Sequence, residues 1–210
     1  MAARLRRCDG FHLLVGEDPH GGTNRVDAPP ARSTTQPYIE LLTALRILDP
    51  LAAWSPSHNH LGALAARPRH FLADPALAAR LVKRNATQLL AGDAPPTIQP
   101  RDGGFLGALF ESFAALSVRV FAQACDASVH HLRTQNGRHE VDLIIEGDTG
   151  VLGIEVKLAS VVGDDGVKHL LWLREQLGDE CVDTMVLHTG PEAYRRPDGV
   201  AVVPLALLGP

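Results

Sequence analysis

Two neighbouring stretches hold the side chains best suited to chemistry. Glu140-Val-Asp-Leu-Ile-Ile-Glu146 and Val151-Leu-Gly-Ile-Glu-Val-Lys157 are joined by four turn-like residues, Gly147 to Gly150. Short apolar-polar runs around such a turn predict a β-hairpin. Successive strand side chains alternate between faces. Ile154, Val156 and Leu158 therefore share one face of the second strand, and Gly153, Glu155 and Lys157 the other. In the first strand, Val141, Leu143 and Ile145 lie opposite Glu140, Asp142 and Ile144. Asp142, Glu155 and Lys157 are thus expected to converge. A further carboxylate comes from Glu111, the only charged residue between Gly103 and Val118. A carboxylate in so apolar a helix needs a partner. At about 100° per residue it shares a face with Gly104, Gly107, Ala108 and Ala115, residues small enough to let the helix approach a sheet closely.

Carboxylates around a small gap form a hard-oxygen site for Mg²⁺, which keeps several of its waters. Such an ion holds a phosphodiester oxygen and makes bound water more acidic. A lysine beside it orients the attacking water or balances charge on phosphorus, and neighbouring carboxylates keep that lysine protonated. In this reading Asp142 and Glu155 bind the metal, Glu111 supports the metal or its water, and Lys157 assists attack. The plainer alternatives are a solvated edge strand for Glu155 and Lys157, a surface hairpin position for Asp142, and a structural pairing of Glu111 with Arg133 or Lys157. Glu140 reads as a supporting or surface residue rather than a ligand. Lys168 and His169 sit on the following helix, facing either phosphate or, more simply, solvent.

The elements that must position these groups are read from the pattern. A helix is expected over about 104–125, strands over 129–134, 140–146 and 151–158, a helix over 164–177, and strands over 184–188 and 200–203. That order predicts an α/β (α+β) domain with a mixed sheet covered by helices. Upstream, Ser33-Thr-Thr before Pro37 reads as a helix start, with Tyr38, Leu41, Leu42 and Leu45 at helical spacing and Asp49-Pro50 as the stop. Leu51–Trp54 and Arg69–Ala73 read as two short strands around a polar loop. Asp74-Pro75 starts another helix, to about Arg84. The expected division is a poorly patterned remnant over 1–34, a winged-helix-like segment over 35–91, a Pro- and Gly-rich linker over 92–102 and the chemical domain over 103–210.

Composition narrows the classes. The 210 residues are 45% hydrophobic and 21% charged, which excludes global disorder. The formal net charge of −4 excludes a strongly basic nucleic-acid glove. Residues 1–70 carry eight Lys/Arg against six Asp/Glu, and 101–160 carry five against eight, a balance that suits a cation site better than tight phosphate binding without metal. No apolar run approaches the roughly 18 residues of a membrane span, and the N-terminus is a poor signal peptide. Three well-separated cysteines (Cys8, Cys125, Cys181) fit a reducing cytoplasm, as small core residues. The ten histidines form no helical metal pair and read as ordinary surface and core residues.

The set Glu111, Asp142 and, thirteen residues on, Glu155-x-Lys157, placed on helix, strand and strand, resembles the PD-(D/E)xK nuclease superfamily. The predicted order also resembles its α-β-β-β-α-β, restriction-endonuclease-like core. More closely, the chain resembles the C-terminal half of a bacterial AAA-type ATPase family, usually catalogued as domain of unknown function 4143. The matching pieces are Ser33-Thr-Thr-Gln-Pro-Tyr38, Ile47-Leu-Asp-Pro50 with Trp54, His70-Phe-Leu-Ala-Asp-Pro-Ala-Leu77 and Gly107-Ala-Leu-Phe-Glu-Ser112. They continue with His131-Leu-Arg133, Gly137-Arg-His-Glu-Val-Asp142, Ile154-Glu-Val-Lys157 and Tyr194-Arg-Arg-Pro197.

The resemblance implies a Mg²⁺-dependent, nuclease-like domain acting on DNA, with Arg67, Arg69, Arg133 and Lys168 as candidate DNA contacts. In such a winged-helix-like segment the helix Tyr38–Ile47 would take the place of a recognition helix, and Arg67 and Arg69 that of a wing; a shape used for protein packing is the alternative. The sequence departs from that family in having no Gly-x-x-x-x-Gly-Lys-(Ser or Thr) loop, so no ATP site is expected. A separate ATPase subunit is then the expected partner, and the chain reads as a truncated or split form. The alternative function is a catalytically silent DNA- or protein-binding module. A remnant exposing Leu13, Leu14 and Val15 is the third.

Overall fold

The computed structural model describes residues 31–55, 67–90, 103–134 and 137–209. Most of the expected remnant (residues 1–30, with Leu13, Leu14 and Val15) and the linker 92–102 lie outside the described residues.

The C-terminal part of the chain is built on α4 (Gly103–Ala124), the longest helix among the described residues. It contains no proline and ends where Asp126 takes a left-handed φ of 53°, a conformation Asp tolerates. Strands β3 (Ser128–Arg133), β4 (Glu140–Gly147) and β5 (Gly150–Val156) come next, then α5 (Lys168–Leu177) and β6 (Cys181–His188). Helix, three strands, helix, strand is the expected order. A two-residue strand, β7 (Tyr194–Arg195), is not among the expected elements, and β8 (Ala201–Pro204) completes a six-stranded sheet in the order β3-β4-β5-β6-β8-β7. The β5–β6 and β6–β8 pairs are parallel and the other pairs antiparallel, giving a mixed sheet of α+β class.

The sheet is buried on both faces. Ala114, Ala115 and Val118 of α4 pack on Leu143, Ile154, Val156 and Leu187. Leu170 and Leu173 of α5 pack with Ile144, Val186 and Val202. The small residues that bring α4 close are Ala114 and Ala115, at most 2% exposed. Gly104 and Gly107, expected in that role, have open space where a Cβ would stand. Residues Gly104–Ala124 reach a mean hydropathy of 1.6 over an 18-residue window, long and apolar enough to cross a membrane. Glu111 and Arg119 interrupt that run; one face of α4 packs on the sheet, while Phe113, Leu116 and Val120 are exposed. Cys125, expected in the core, is exposed just past its end.

Upstream lie α1 (Arg32–Ala44), β1 (Leu48–Leu51), β2 (Arg69–Leu72), α2 (Pro75–Leu81) and α3 (Ala86–Leu90). Asp74 caps α2, its carboxylate accepting from the Ala76 N–H at 2.8 Å, as its place before Pro75 predicts. The expected stop at Asp49-Pro50 is not where α1 ends. The helix stops at Ala44, with Arg46 left-handed at φ 58°, and Asp49 and Pro50 lie inside β1, which therefore starts three residues earlier than expected. Pro50 lacks an N–H, and strand margins tolerate that. The β1–β2 ladder sets Leu51 opposite Arg69. It is stapled to the large sheet by a parallel bridge, Ala53 to His131, with Trp54 N–H donating to the His131 carbonyl (2.7 Å) and His131 N–H to the Ala52 carbonyl (3.0 Å). Leu51 and Phe71 join the core on the α4 side.

One irregularity, in β4, sets the geometry of the acidic end of the sheet. His130 pairs with Ile144 and Leu132 with Val141. Asp142 and Leu143 together therefore oppose His131, so β4 carries one extra residue, a β-bulge. Strict alternation fails there. Val141, expected beside Leu143 and Ile145, instead shares the α5-side cluster with Ile144. The β4–β5 ladder also ends at Leu143 and Ile154, leaving Asp142 just beyond it.

Tight packing of α5 on β5 can be tested at Gly153. A Cβ there would stand 2.6 Å from Leu173 Cδ2 and 3.3 Å from Leu170 Cδ2. Gly153→Ala is expected to destabilise the fold by about 1–3 kcal/mol, read as a fall in Tm of about 2–4 °C per kcal/mol. An unchanged Tm would contradict the packing.

Candidate active site

Freed from the ladder by the bulge, the Asp142 carboxylate takes the place of a backbone acceptor. Its Oδ2 accepts from the Val156 N–H at 2.9 Å. This holds the β4 acid against the end of β5, where Glu155 and Lys157 flank Val156. Glu155 is only 3% exposed. Its Oε2 accepts from Lys157 Nζ at 2.6 Å, while its Oε1 is buried with no hydrogen-bond partner. Asp142 lies within hydrogen-bonding reach of Glu155. The Lys157 side chain stays part-exposed, so it forms the mouth of the site and Glu155 the floor.

A cation expected elsewhere enters from the β1–β2 pair. Arg69, expected at a wing facing phosphate, is turned inward. Its Nη1 donates to Glu111 Oε1, its Nη2 to Glu140 Oε1 at 2.5 Å, and Nη1 stands 3.5 Å from Asp142 Oδ1. Arg133 lies on the rim, its Nε 4.0 Å from Glu140 Oε2. Glu111 therefore has neither Arg133 nor Lys157 as its ion-pair partner, and Glu140 is drawn into the cluster instead of facing solvent.

The electrostatics reflect the crowding. Burial and the nearby Asp142 charge push Glu111 up to about 7, against the pull of Arg69. Burial, with Asp142 again adding to it, pushes Glu155 up to about 8, against Lys157. Burial works against the charged forms of Lys157 and Arg69, yet the carboxylates beside them hold both above their ordinary values. Lys157 is thus kept protonated, as expected. Like-charged buried carboxyls of this kind ionise reluctantly unless a cation joins them.

Among the described residues no three His, Cys, Asp or Glu side chains form a ready-made ligand set. Mg²⁺ does not require one, since it is commonly held by one or two carboxylates and keeps its remaining waters. Asp142 and Glu155, with Glu155 Oε1 unpartnered, fit that need.

The structure thus brings Glu111, Glu140 and Asp142 onto Arg69, and Glu155 with Lys157 beside Asp142, with Arg133 at the edge. Arg67 and Lys168 are not brought in. Arg67 is exposed, its backbone carbonyl accepting from His131 Nε2 at 3.2 Å, and Lys168 is exposed with its Nζ 4.0 Å from Asp165. Two features escape the sequence. One is Arg69 as the partner of Glu111 and Glu140; the signal available is a surplus of carboxylates with too few cations on the same elements. The other is a ring cluster: His139 stacks on Trp172 with centroids 4.0 Å apart, and His169 meets His139 edge-on. His169, expected on a solvated face, is half-buried, and burial lowers its pKa.

Residues 106–208 match the family model described as Domain of unknown function (DUF4143). The matched range contains Glu111, Glu140, Asp142, Glu155 and Lys157, whereas Arg69 precedes it. No curated protein and no solved structure matches the chain.

The crowding around Glu155 has a measurable consequence. The Glu155 carboxyl keeps its proton in the fold up to about pH 8 whereas the unfolded chain loses it near 4.5, so this group opposes folding increasingly between those values and fully above them unless a cation binds. Glu155→Gln is expected to raise Tm in EDTA at pH 8.5 by several degrees, and to abolish the rise expected of the wild type in millimolar Mg²⁺. A lower Tm in EDTA, or an undiminished response to Mg²⁺, would contradict the assignment.

Proposed function

We propose that this chain is a Mg²⁺-dependent phosphodiester hydrolase of the PD-(D/E)xK type that acts on DNA. One observation carries the reading: a buried carboxylate, Glu155, keeps one oxygen unpartnered beside Asp142 while its other oxygen holds Lys157. A buried oxygen that receives no hydrogen bond opposes folding while the group is charged, and a bound cation would relieve it. Bound there, Mg²⁺ would polarise the phosphodiester and lower the pKa of a water.

The chain's own residues would do the following. Asp142, fixed by the Val156 N–H, and Glu155 hold the ion. Lys157, held protonated at the mouth, orients the attacking water and balances negative charge on phosphorus. Glu111 keeps its carboxylate at the inner wall through Arg69. Arg133 on the rim, with Arg67 and Lys168 further out, would meet DNA phosphates. Helix α1 has little to offer there, since Arg32 and Glu40 are its only charged residues, so it serves protein packing better than base reading. The resemblance to an AAA-type ATPase family supports a separate ATPase subunit as partner and a cytoplasmic setting.

A second reading draws on a specific observation. Arg69 already neutralises part of the acidic cluster, and no three-ligand set is present among the described residues, which favours a catalytically silent DNA- or protein-binding module.

Cleavage assays on supercoiled, linear and single-stranded DNA with Mg²⁺ or Mn²⁺ separate the two. The hydrolase reading expects metal-dependent cleavage by the wild type. It expects a loss on the order of 100-fold or more in Asp142→Ala and in Lys157→Ala, each checked for native circular dichroism. No cleavage of any DNA form, or equal cleavage by the variants, would favour the silent module.

A further inference from the structure

We infer that Arg69 stands as a resident cation on the Glu111 side of this site and limits the chain to one divalent ion. The inference rests on the proposed metal site and deepens it.

Glu111, Glu140, Asp142 and Glu155 are the carboxylates gathered at one end of the sheet. Acid-rich phosphodiesterase sites of this kind can hold two metal ions about 3.5–4 Å apart, clamping both the attacking and the leaving oxygen. Here the cluster divides into two parts. On the α4 side Arg69 takes Glu111 Oε1 and Glu140 Oε1 and approaches Asp142 Oδ1. On the β5 side Glu155 Oε1 has no partner, and Glu155 is 3% exposed. A second ion bound through Glu111 would have to displace the guanidinium from its two close carboxylate partners, whereas an ion on Asp142 and Glu155 would meet only the longer contact of Nη1 to Asp142 Oδ1, at 3.5 Å.

Arginine suits this role for a physical reason. Its guanidinium is planar, carries its donors in a rigid fork and stays charged at any working pH, so it cannot leave the site by losing a proton as a buried lysine can. Its position is also fixed through the backbone. Arg69 pairs with Leu51 in the β1–β2 ladder, Leu51 is 1% exposed, and two residues beyond it Ala53 bridges to His131 of β3. Phe71, two residues along β2, packs against the same core. The guanidinium is therefore delivered by a built element, not by a surface side chain that happened to fold inward.

The test is the stoichiometry of Mn²⁺ bound by the full chain, from isothermal titration calorimetry and from the free Mn²⁺ electron-paramagnetic-resonance signal. The wild type is expected to bind one ion and Asp142→Ala none. Arg69→Ala is expected to bind two, and Arg69→Gln, which keeps length and polarity without the charge, gives the same reading if the alanine variant folds poorly. Arg69→Gln/Glu111→Gln is expected to return the count to one, since the second ion needs Glu111. Two ions in the wild type, or one ion in folded Arg69→Gln, overturns the inference and leaves the proposed metal site standing. No ion bound by the wild type or by Arg69→Gln overturns both.

Discussion

The extra residue in β4 is the constraint on which the site depends. Where Asp142 and Leu143 together oppose His131, the period-two alternation of the strand resets and the ladder to β5 stops. Without that bulge Asp142 would continue the ladder opposite Glu155, with Val156 N–H paired to backbone. With it, the Asp142 carboxylate takes the Val156 N–H and stays pinned beside Glu155. Bulges commonly re-aim a side chain near a functional site, and here the apolar consequence is visible as well. Val141 moves to the α5 side of the sheet while Leu143 stays on the α4 side, so both cores are filled across the irregularity.

Charge is the second constraint, and it ties the two sheets together. An acid-rich end of a sheet is unfavourable unless cations meet it. Lys157 meets Glu155 from the end of β5, and Arg69 meets Glu111 and Glu140 from the β1–β2 pair. The small sheet is therefore part of the site's electrostatics as well as of its scaffold. It shares the apolar core through Leu51 and Phe71 and the backbone network through His131. What remains uncompensated is local: one buried oxygen of Glu155 that receives no hydrogen bond.

Much of this is legible in the sequence, for identifiable reasons. The hairpin from Glu140 to Lys157 is readable because its apolar alternation is strong and its turn short. The grouping of Glu111, Asp142, Glu155 and Lys157 is expected from that alternation and from a lone acid in an apolar helix, although the bulge is what holds Asp142 beside Glu155. The bulge is not readable, since a single inserted residue leaves local periodicity nearly intact and shows only through its partner strand. Arg69 is easily misplaced because its partners lie 42 and more residues away, and a single arginine in a short strand carries no local sign of where its head will rest. Asp49-Pro50 misleads because it stops helices generally, yet Arg46 has already ended this one. Gly104 and Gly107 mislead because small residues permit close approach without requiring it.

The most direct test is a crystal structure of the protein grown or soaked with Mn²⁺, with anomalous difference density measured at the manganese edge. The account predicts a single peak between the Asp142 carboxylate and Glu155 Oε1, with the Arg69 guanidinium still on Glu111 and Glu140. No peak at saturating Mn²⁺, or a peak on Glu111 and Glu140 with Arg69 displaced, would contradict it.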